Sequence, residues 1–434
     1  MPTKIKNLGV CNFDSPLHDI GGVEVNFRRD SERVLYNHVL DLDAPVVNVA
    51  SDKVLSFEVA GPRKRIYFDP ARTTAGIVTC GGLSPGFNDI IKGLVTQLSS
   101  RYGVSRIYGF RYGYQGLVQS LGHTPITLKP ESVSQIHIQG GSILSSSRGD
   151  QPIEEMVDTL EDMKVDILFV VGGDGSLKGA ERIAEEVERR GLKKAVVGIP
   201  KTIDNDIHYI DKSFGFETAF AEAVKAIRGA TAEALGAPNG VGLVRLMGRD
   251  SGFIACYAAL ADGNVDFVLI PEVPFALEGE RGLLEALRYK ISKKRSAVIV
   301  VAEGAGQELM EGYEEFDASG NRRPREIGTF LRDKITGFFK QRRVELNLKY
   351  INPSYLIRSV PANAQDNVFC QYLAQHAVHA GMAGKTGIMV GRWHTSYVHL
   401  PIGFVTGMGR SIVDVHGELW RAVLEITGQP ARMT

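Results

Sequence analysis

Two short stretches of this chain carry residue types suited to phosphate chemistry. The first is Gly172-Gly173-Asp174-Gly175-Ser176. Glycines let a backbone approach an anion closely. Where such a loop opens a helix, free N–H groups point at the ligand. The carboxylate of Asp174 suits magnesium, which takes oxygen ligands and shares them with substrate phosphates. The second stretch is Pro200-Lys201-Thr202-Ile203-Asp204-Asn205-Asp206. Two aspartates two residues apart point the same way if the chain is extended. One could act as a general base while the other tunes its field. A carboxylate base suits a sugar hydroxyl that attacks phosphorus, and Lys201 could neutralise phosphate charge. Taken alone, each stretch is also compatible with a structural turn.

The elements that must hold these stretches are legible around them. The run 165–171 is apolar and leads into Gly172. After it, Leu177, Ala180, Ile183, Ala184 and Val187 recur at helical spacing. The same strand, glycine loop and helix unit appears earlier. There Ala75-Gly76-Ile77-Val78-Thr79-Cys80 ends in Gly81-Gly82, and Ile90, Ile91, Leu94, Val95 and Leu98 follow on one face. Residues 195–199 form a further strand closed by Pro200, and 241–246, 267–270 and 297–301 read as strands too. Strands alternating with helices over this length predict an α/β fold with mostly parallel sheets, whose ligands bind at the carboxyl ends of the strands. The glycine loops lie at those ends.

The rest of the sequence bounds the answer. It has 434 residues, enough for two to four domains or subdomains. Lys plus Arg and Asp plus Glu are 50 each, which argues against a binder of nucleic acid that relies on a basic surface. No run of about 18 apolar residues predicts a membrane span. Cys11, Cys80, Cys256 and Cys370 are far apart and form no CxxC pair, which fits a reducing cytoplasm. The N-terminus shows no apolar core of a signal peptide. Residues 1–71 read as a separate arm, with an apolar stretch at 44–50 and a candidate edge strand at 65–68. The charged stretch 308–325 reads as a solvated loop. Gly384-Lys385-Thr386 looks like the end of a Walker loop, but His379 stands where the earlier glycine is required, so it reads as structural. His376 and His379 read as packing residues rather than a metal pair.

Several further segments, in order, complete a resemblance. These are Gly81-Gly82-Leu83-Ser84-Pro85-Gly86-Phe87-Asn88, then Gly140-Gly141-Ser142 running on to Arg148-Gly149, Met247-Gly248-Arg249-Asp250-Ser251-Gly252, Glu303-Gly304-Ala305-Gly306, and Lys349-Tyr350-Ile351-Asn352-Pro353-Ser354-Tyr355-Leu356-Ile357-Arg358. With the two stretches above, they resemble the phosphofructokinase family across about residues 60 to 410. The resemblance implies two Rossmann-like lobes with mostly parallel sheets, plus an N-terminal extension. The nucleotide-binding lobe would be 72–214 and 358–405, and the sugar-phosphate lobe 215–357 and 406–434. It also implies transfer of a phosphoryl group to the 1-hydroxyl of fructose 6-phosphate. Asp204 would be the base, with Thr202, Ile203 and Asp206 lining the site. Met247, Gly248 and Arg249 would meet the sugar, and Arg249 would stabilise charge on the moving phosphoryl. Glu303 would accept from sugar hydroxyls, and Tyr355 and Arg358 would grip the 6-phosphate. Gly82, Arg148, Gly149, Gly173, Gly175 and Ser176 would surround the donor, and Asp174 would hold Mg2+.

The family divides between ATP and pyrophosphate as donor. Pyrophosphate users typically carry a second aspartate where Gly175 stands, and Gly175 leaves room for a nucleotide. Lys201 resembles the pyrophosphate users. The combination resembles the ATP-dependent enzymes of plants and trypanosomes, so ATP is the expected donor and pyrophosphate the alternative. The short bacterial enzymes place a cross-subunit arginine in the stretch that here reads Asn239-Gly240-Val241-Gly242. Lys349 would replace it, which implies a homodimer or homotetramer in the cytoplasm. Two other readings stay open at this stage: a kinase acting on NAD or a lipid, and a catalytically silent regulatory subunit.

Overall fold

A computed structural model describes residues 3–17, 19–20, 23–39, 54–312, 316 and 323–434. The apolar stretch 44–50 and half of 308–325, namely 313–315 and 317–322, lie outside the described residues. By its internal contacts the chain divides into two units. One comprises 1–202, 207–214 and 361–409, the other 203–206, 215–360 and 410–434.

Following the chain, the first unit begins with β1 (Arg33–Leu35) and β2 (Ser56–Val59), then β3 (Thr74–Thr79), β4 (Arg106–Phe110), β5 (Ile126–Thr127), β6 (Ile167–Gly172) and β7 (Ala195–Pro200). Every residue of β3, β6 and β7 is buried. Near-continuous apolar runs of this kind belong to parallel strands covered on both faces. Alternate residues of β6 confirm it. Ile167, Phe169 and Val171 join the core that takes in helix α1 (Phe87–Thr96). Leu168 and Val170 join the core under helix α2 (Asp174–Arg189). The periodic face 90, 91, 94, 95 and 98 is wholly inaccessible, and each such side chain stabilises the fold by about 1.5–3 kcal/mol.

The chain then builds the second unit from β8 (Gly240–Leu246), β9 (Phe267–Leu269), β10 (Ser296–Ala302) and β11 (Asn347–Ile351). These four strands are parallel, in the spatial order β9-β10-β8-β11. Helices α3 (Phe216–Leu235) and α4 (Phe253–Asp262) pack on one face, and α5 (Ile327–Gln341) on the other. The chain returns to the first unit with α6 (Ala364–Met382), β12 (Ile388–Trp393) and β13 (Ser396–Pro401). The nine-stranded sheet there has the order β5-β4-β3-β6-β7-β12-β13-β2-β1, with its five central strands β4, β3, β6, β7 and β12 parallel.

The N-terminal segment adds two strands to this sheet, because β2 pairs antiparallel with β13. Within the expected edge strand, Arg65–Ile66 pairs with Phe13–Asp14. Glu58 of β2 is buried and meets the fully buried Lys385 at 2.7 Å, with Arg63 at 2.8 Å and His399 at 2.9 Å. A buried charge persists only when paired in this way. Lys385 also meets Asp30 at 3.0 Å, and the hydroxyl of Thr386 accepts from the Val196 N–H. The Gly384-Lys385-Thr386 stretch is thus structural. His379 is bonded to the Tyr102 hydroxyl at 2.8 Å, and His376 stacks on Tyr397, its imidazole pushed down to about 3 by burial.

Candidate active site

In the first unit the parallel strands β3, β6 and β7 end together at the glycine loops. The Cys80 N–H donates to Val171, and the Lys201 N–H donates to the Gly172 carbonyl. The Gly81 N–H donates to the Ser147 carbonyl, and the Ser146 hydroxyl donates back to Gly81. Asn88 accepts from Ile143 and donates to Gln139. These bonds tie the 81–88 loop to the 140–149 loop, which carries Gly149 and the exposed Arg148. Gly173 caps α2 in an extended conformation, and Asp174 begins its first turn. The N–H groups of such a turn attract anions. The Asp174 carboxylate, about a quarter exposed, meets Lys178 at 2.8 Å. A Cβ added to Gly175 would meet nothing within 4 Å. Lys201 is buried, and its ammonium donates to the Gly82 carbonyl at 2.8 Å with the Phe87 ring 5.8 Å away.

In the second unit the ends of β8 and β10 form the matching set. Gly248 has φ +130°, a region that suits glycine, and its loop is held by the Gly304 N–H donating to its carbonyl. Gly304 itself lies so close to the Arg249 carbonyl that a Cβ would overlap it. Glu303 follows β10, and its N–H donates to Leu246. Burial pushes the Glu303 carboxyl up, against the opposing charges of Arg245, Arg249 and Arg358. Arg358 ends a 3-10 turn, 4.6 Å from the centre of the exposed Tyr355 ring. Lys349 is exposed on β11, and Met247 packs against the core that holds Ile203.

The aspartate pair departs from the extended geometry. Asn205 takes a left-handed conformation with φ +55°, so the chain bends between Asp204 and Asp206. Alternation along a strand therefore does not orient these carboxylates. Tertiary bonds do so instead. The Ser251 hydroxyl donates to the Asp204 carbonyl at 3.1 Å, and the Ser411 N–H donates to Asp206 at 2.8 Å. Arg410 lies 3.7 Å from the Asp206 carboxylate and is bonded to Asp250. Thr202, which belongs to the first unit, accepts from the Ser213 hydroxyl.

The phosphofructokinase family profile matches residues 74–381. The chain belongs to the phosphofructokinase family. It is 48% identical to an ATP-dependent 6-phosphofructokinase of Amycolatopsis methanolica, over 99% of this chain and 95% of that one. It is 46% identical to the ATP-dependent 6-phosphofructokinase of Trypanosoma brucei brucei, over 98% and 87%. It is also 46% identical to the chloroplastic ATP-dependent 6-phosphofructokinase 4 of Arabidopsis thaliana, over 90% and 74%. Among solved structures, the pyrophosphate-dependent phosphofructokinase of Marinobacter aquaeolei matches with a TM-score of 0.66 at 20% identity, over 82% of this chain and 92% of that one. The Pichia pastoris phosphofructokinase in its T-state matches with 0.64 at 19%, over 88% of this chain and 39% of that longer one. At these identities the structures speak for the fold alone.

Three residues of this chain escaped sequence reading. Arg245 pairs with Glu303, Arg410 meets Asp206, and Glu272 accepts from both Gly252 and Val413. Burial pushes the Glu272 carboxyl up. Arg245 left a signal, being a charge in the apolar run of β8. Arg410 and Glu272 left none, because their partners are distant in sequence.

Proposed function

We propose that this chain transfers the γ-phosphoryl group of ATP to the 1-hydroxyl of fructose 6-phosphate, giving fructose 1,6-bisphosphate and ADP. The near-full-length likeness to enzymes named for ATP-dependent 6-phosphofructokinase activity carries this reading. The open space at Gly175 supports ATP over pyrophosphate, since a nucleotide needs room at the start of α2.

The residues then take these roles. Asp204 accepts the proton of the 1-hydroxyl as that oxygen attacks phosphorus in line. Asp206, held by Arg410, tunes the field at Asp204, while Thr202 and Ile203 complete the segment. Arg249 stabilises charge on the moving phosphoryl. Met247 and Gly248 shape the sugar site. Glu303 accepts from sugar hydroxyls, and Arg358 and Tyr355 grip the 6-phosphate, where a guanidinium fork matches phosphate oxygens. Exposed Lys349 adds charge to the 6-phosphate of a neighbouring subunit, so the working form is a homodimer or homotetramer. On the donor side, Gly82, Arg148, Gly149, Gly173, Gly175 and Ser176 surround the phosphates.

Asp174 fits Mg2+. Among the described residues no group of three His, Cys, Asp or Glu side chains stands ready to hold a metal alone. One carboxylate at a helix start, completed by donor phosphates and water, is the usual magnesium arrangement. The ion supplies neutralisation of phosphate charge.

Among the described residues no helix is long and apolar enough to cross a membrane, and the four cysteines are unpaired. The unpaired cysteines suit the cytoplasmic location included in this reading.

A coupled assay with fructose 6-phosphate, Mg2+ and ATP tests the proposal. Fructose 1,6-bisphosphate formed in step with ADP supports it. No product over a range of effectors overturns it in favour of a silent subunit.

A further inference from the structure

Arg245 is a charge in the middle of an apolar parallel sheet. It lies on β8, between β10 and β11, and is 8% exposed. Its guanidinium donates to the Glu303 carboxylate at 2.7 Å. It reaches the Asn352 side chain at 3.5 Å, and its Nε lies 3.5 Å from Glu326. Glu326 accepts from the Tyr350 hydroxyl at 2.6 Å. Elements on both sides of β8 therefore meet at this one side chain. A buried ion pair seldom adds stability over apolar residues of similar volume. On the same face, Leu243 of β8 and Val301, beside it on β10, are apolar and wholly buried, so the fold alone does not call for an arginine here.

We propose that Arg245 is a positioning residue of the acceptor site: it orients the Glu303 carboxylate toward the hydroxyls of the sugar phosphate and so sets acceptor affinity. The inference rests on the function proposed above. The groups facing Glu303 make it specific. Burial and Glu326 push its carboxyl up, while Arg245, Arg249 and Arg358 pull it down, Arg245 first among them. Without Arg245, Glu303 takes a proton in a higher pH range, and a protonated carboxyl loses acceptor capacity.

The test compares wild type, Arg245→Met, Arg245→Lys and Glu303→Gln. Steady-state kinetics between pH 6.5 and 8.5 are combined with calorimetric titration of fructose 6-phosphate. Arg245→Met raises KM for fructose 6-phosphate by at least about tenfold with a smaller change in kcat, the sign of lost binding shared by ground and transition states. That KM falls as pH rises. Arg245→Lys recovers part of the affinity and flattens the pH profile. Adding Glu303→Gln to Arg245→Met costs less than Glu303→Gln alone, as coupled residues require. If Arg245→Met fails to fold, the lysine variant carries the test through its intermediate affinity. A lowered melting temperature with unmoved KM, a flat pH profile and additive effects overturns the role of Arg245. Absence of wild-type turnover overturns instead the function on which the role rests.

Discussion

The ammonium of Lys201 donates to the carbonyl of Gly82 at 2.8 Å. This bond joins the end of β7 to the first glycine loop, and it gives the buried lysine a role in shaping the donor loops. A cation used in this way is compatible with either donor, so under the proposed reading Gly175 is the better guide to ATP. Hydrogen bonds to charged groups are worth about 1.5–3 kcal/mol. Lys201→Met therefore raises KM for ATP about tenfold to a hundredfold, with little change in KM for fructose 6-phosphate. Steady-state kinetics with each substrate varied check this, and an unchanged ATP KM contradicts it.

Asp204→Ser tests the base. A positioned general base contributes about 10²–10⁴ in rate. The variant loses kcat by that factor while keeping its KM for fructose 6-phosphate near wild type. A near-normal kcat rules the assignment out.

Gly304→Ala tests the close approach of two loops. The added methyl overlaps the Arg249 carbonyl, which is backbone and cannot turn aside. The 247–252 loop must shift, and a small misplacement near the reacting groups costs about 10²-fold. The expected result is that loss in kcat/KM for fructose 6-phosphate with ATP binding retained, read by kinetics and nucleotide titration.

A pH effect follows from Asp89, in the first turn of α1. Burial, with a contribution from Asp366 and against Lys92, pushes its carboxyl up to about 7. A carboxyl raised in the native state binds its proton there more tightly than in the unfolded chain. Stability therefore falls as pH rises through the window from about 4 to 7. Asp89→Asn removes the charged form, so it stabilises more at pH 8 than at pH 5.5, by about 2 kcal/mol at most. Thermal unfolding of both proteins at the two pH values measures the difference. An equal shift at both contradicts the account.

The central strands were legible because β3, β6 and β7 are apolar runs ended by glycine or proline, and parallel strands buried on both faces look like that. The faces of α1 and α2 followed from 3.6-residue periodicity alone. The family was legible because its motifs recur in order. The bend at Asn205 was not read: asparagine tolerates the left-handed region better than most residues, but its type alone does not say that this one adopts it. Strand β2 was hidden for a different reason. Glu58 spoils its apolar pattern, and the partners that make its burial tolerable, Lys385 and His399, lie more than 300 residues away. Arg410 and Glu272 are the same case, as their meaning comes from contacts that only the folded chain makes.

The most direct measurement is fructose 1,6-bisphosphate formation by wild type and Gly175→Asp, each run in parallel with ATP and with pyrophosphate. The account predicts that wild type turns over with ATP and that the aspartate weakens ATP use more than any use of pyrophosphate. Turnover of wild type with pyrophosphate alone would contradict it and make Lys201 the residue that reads the donor.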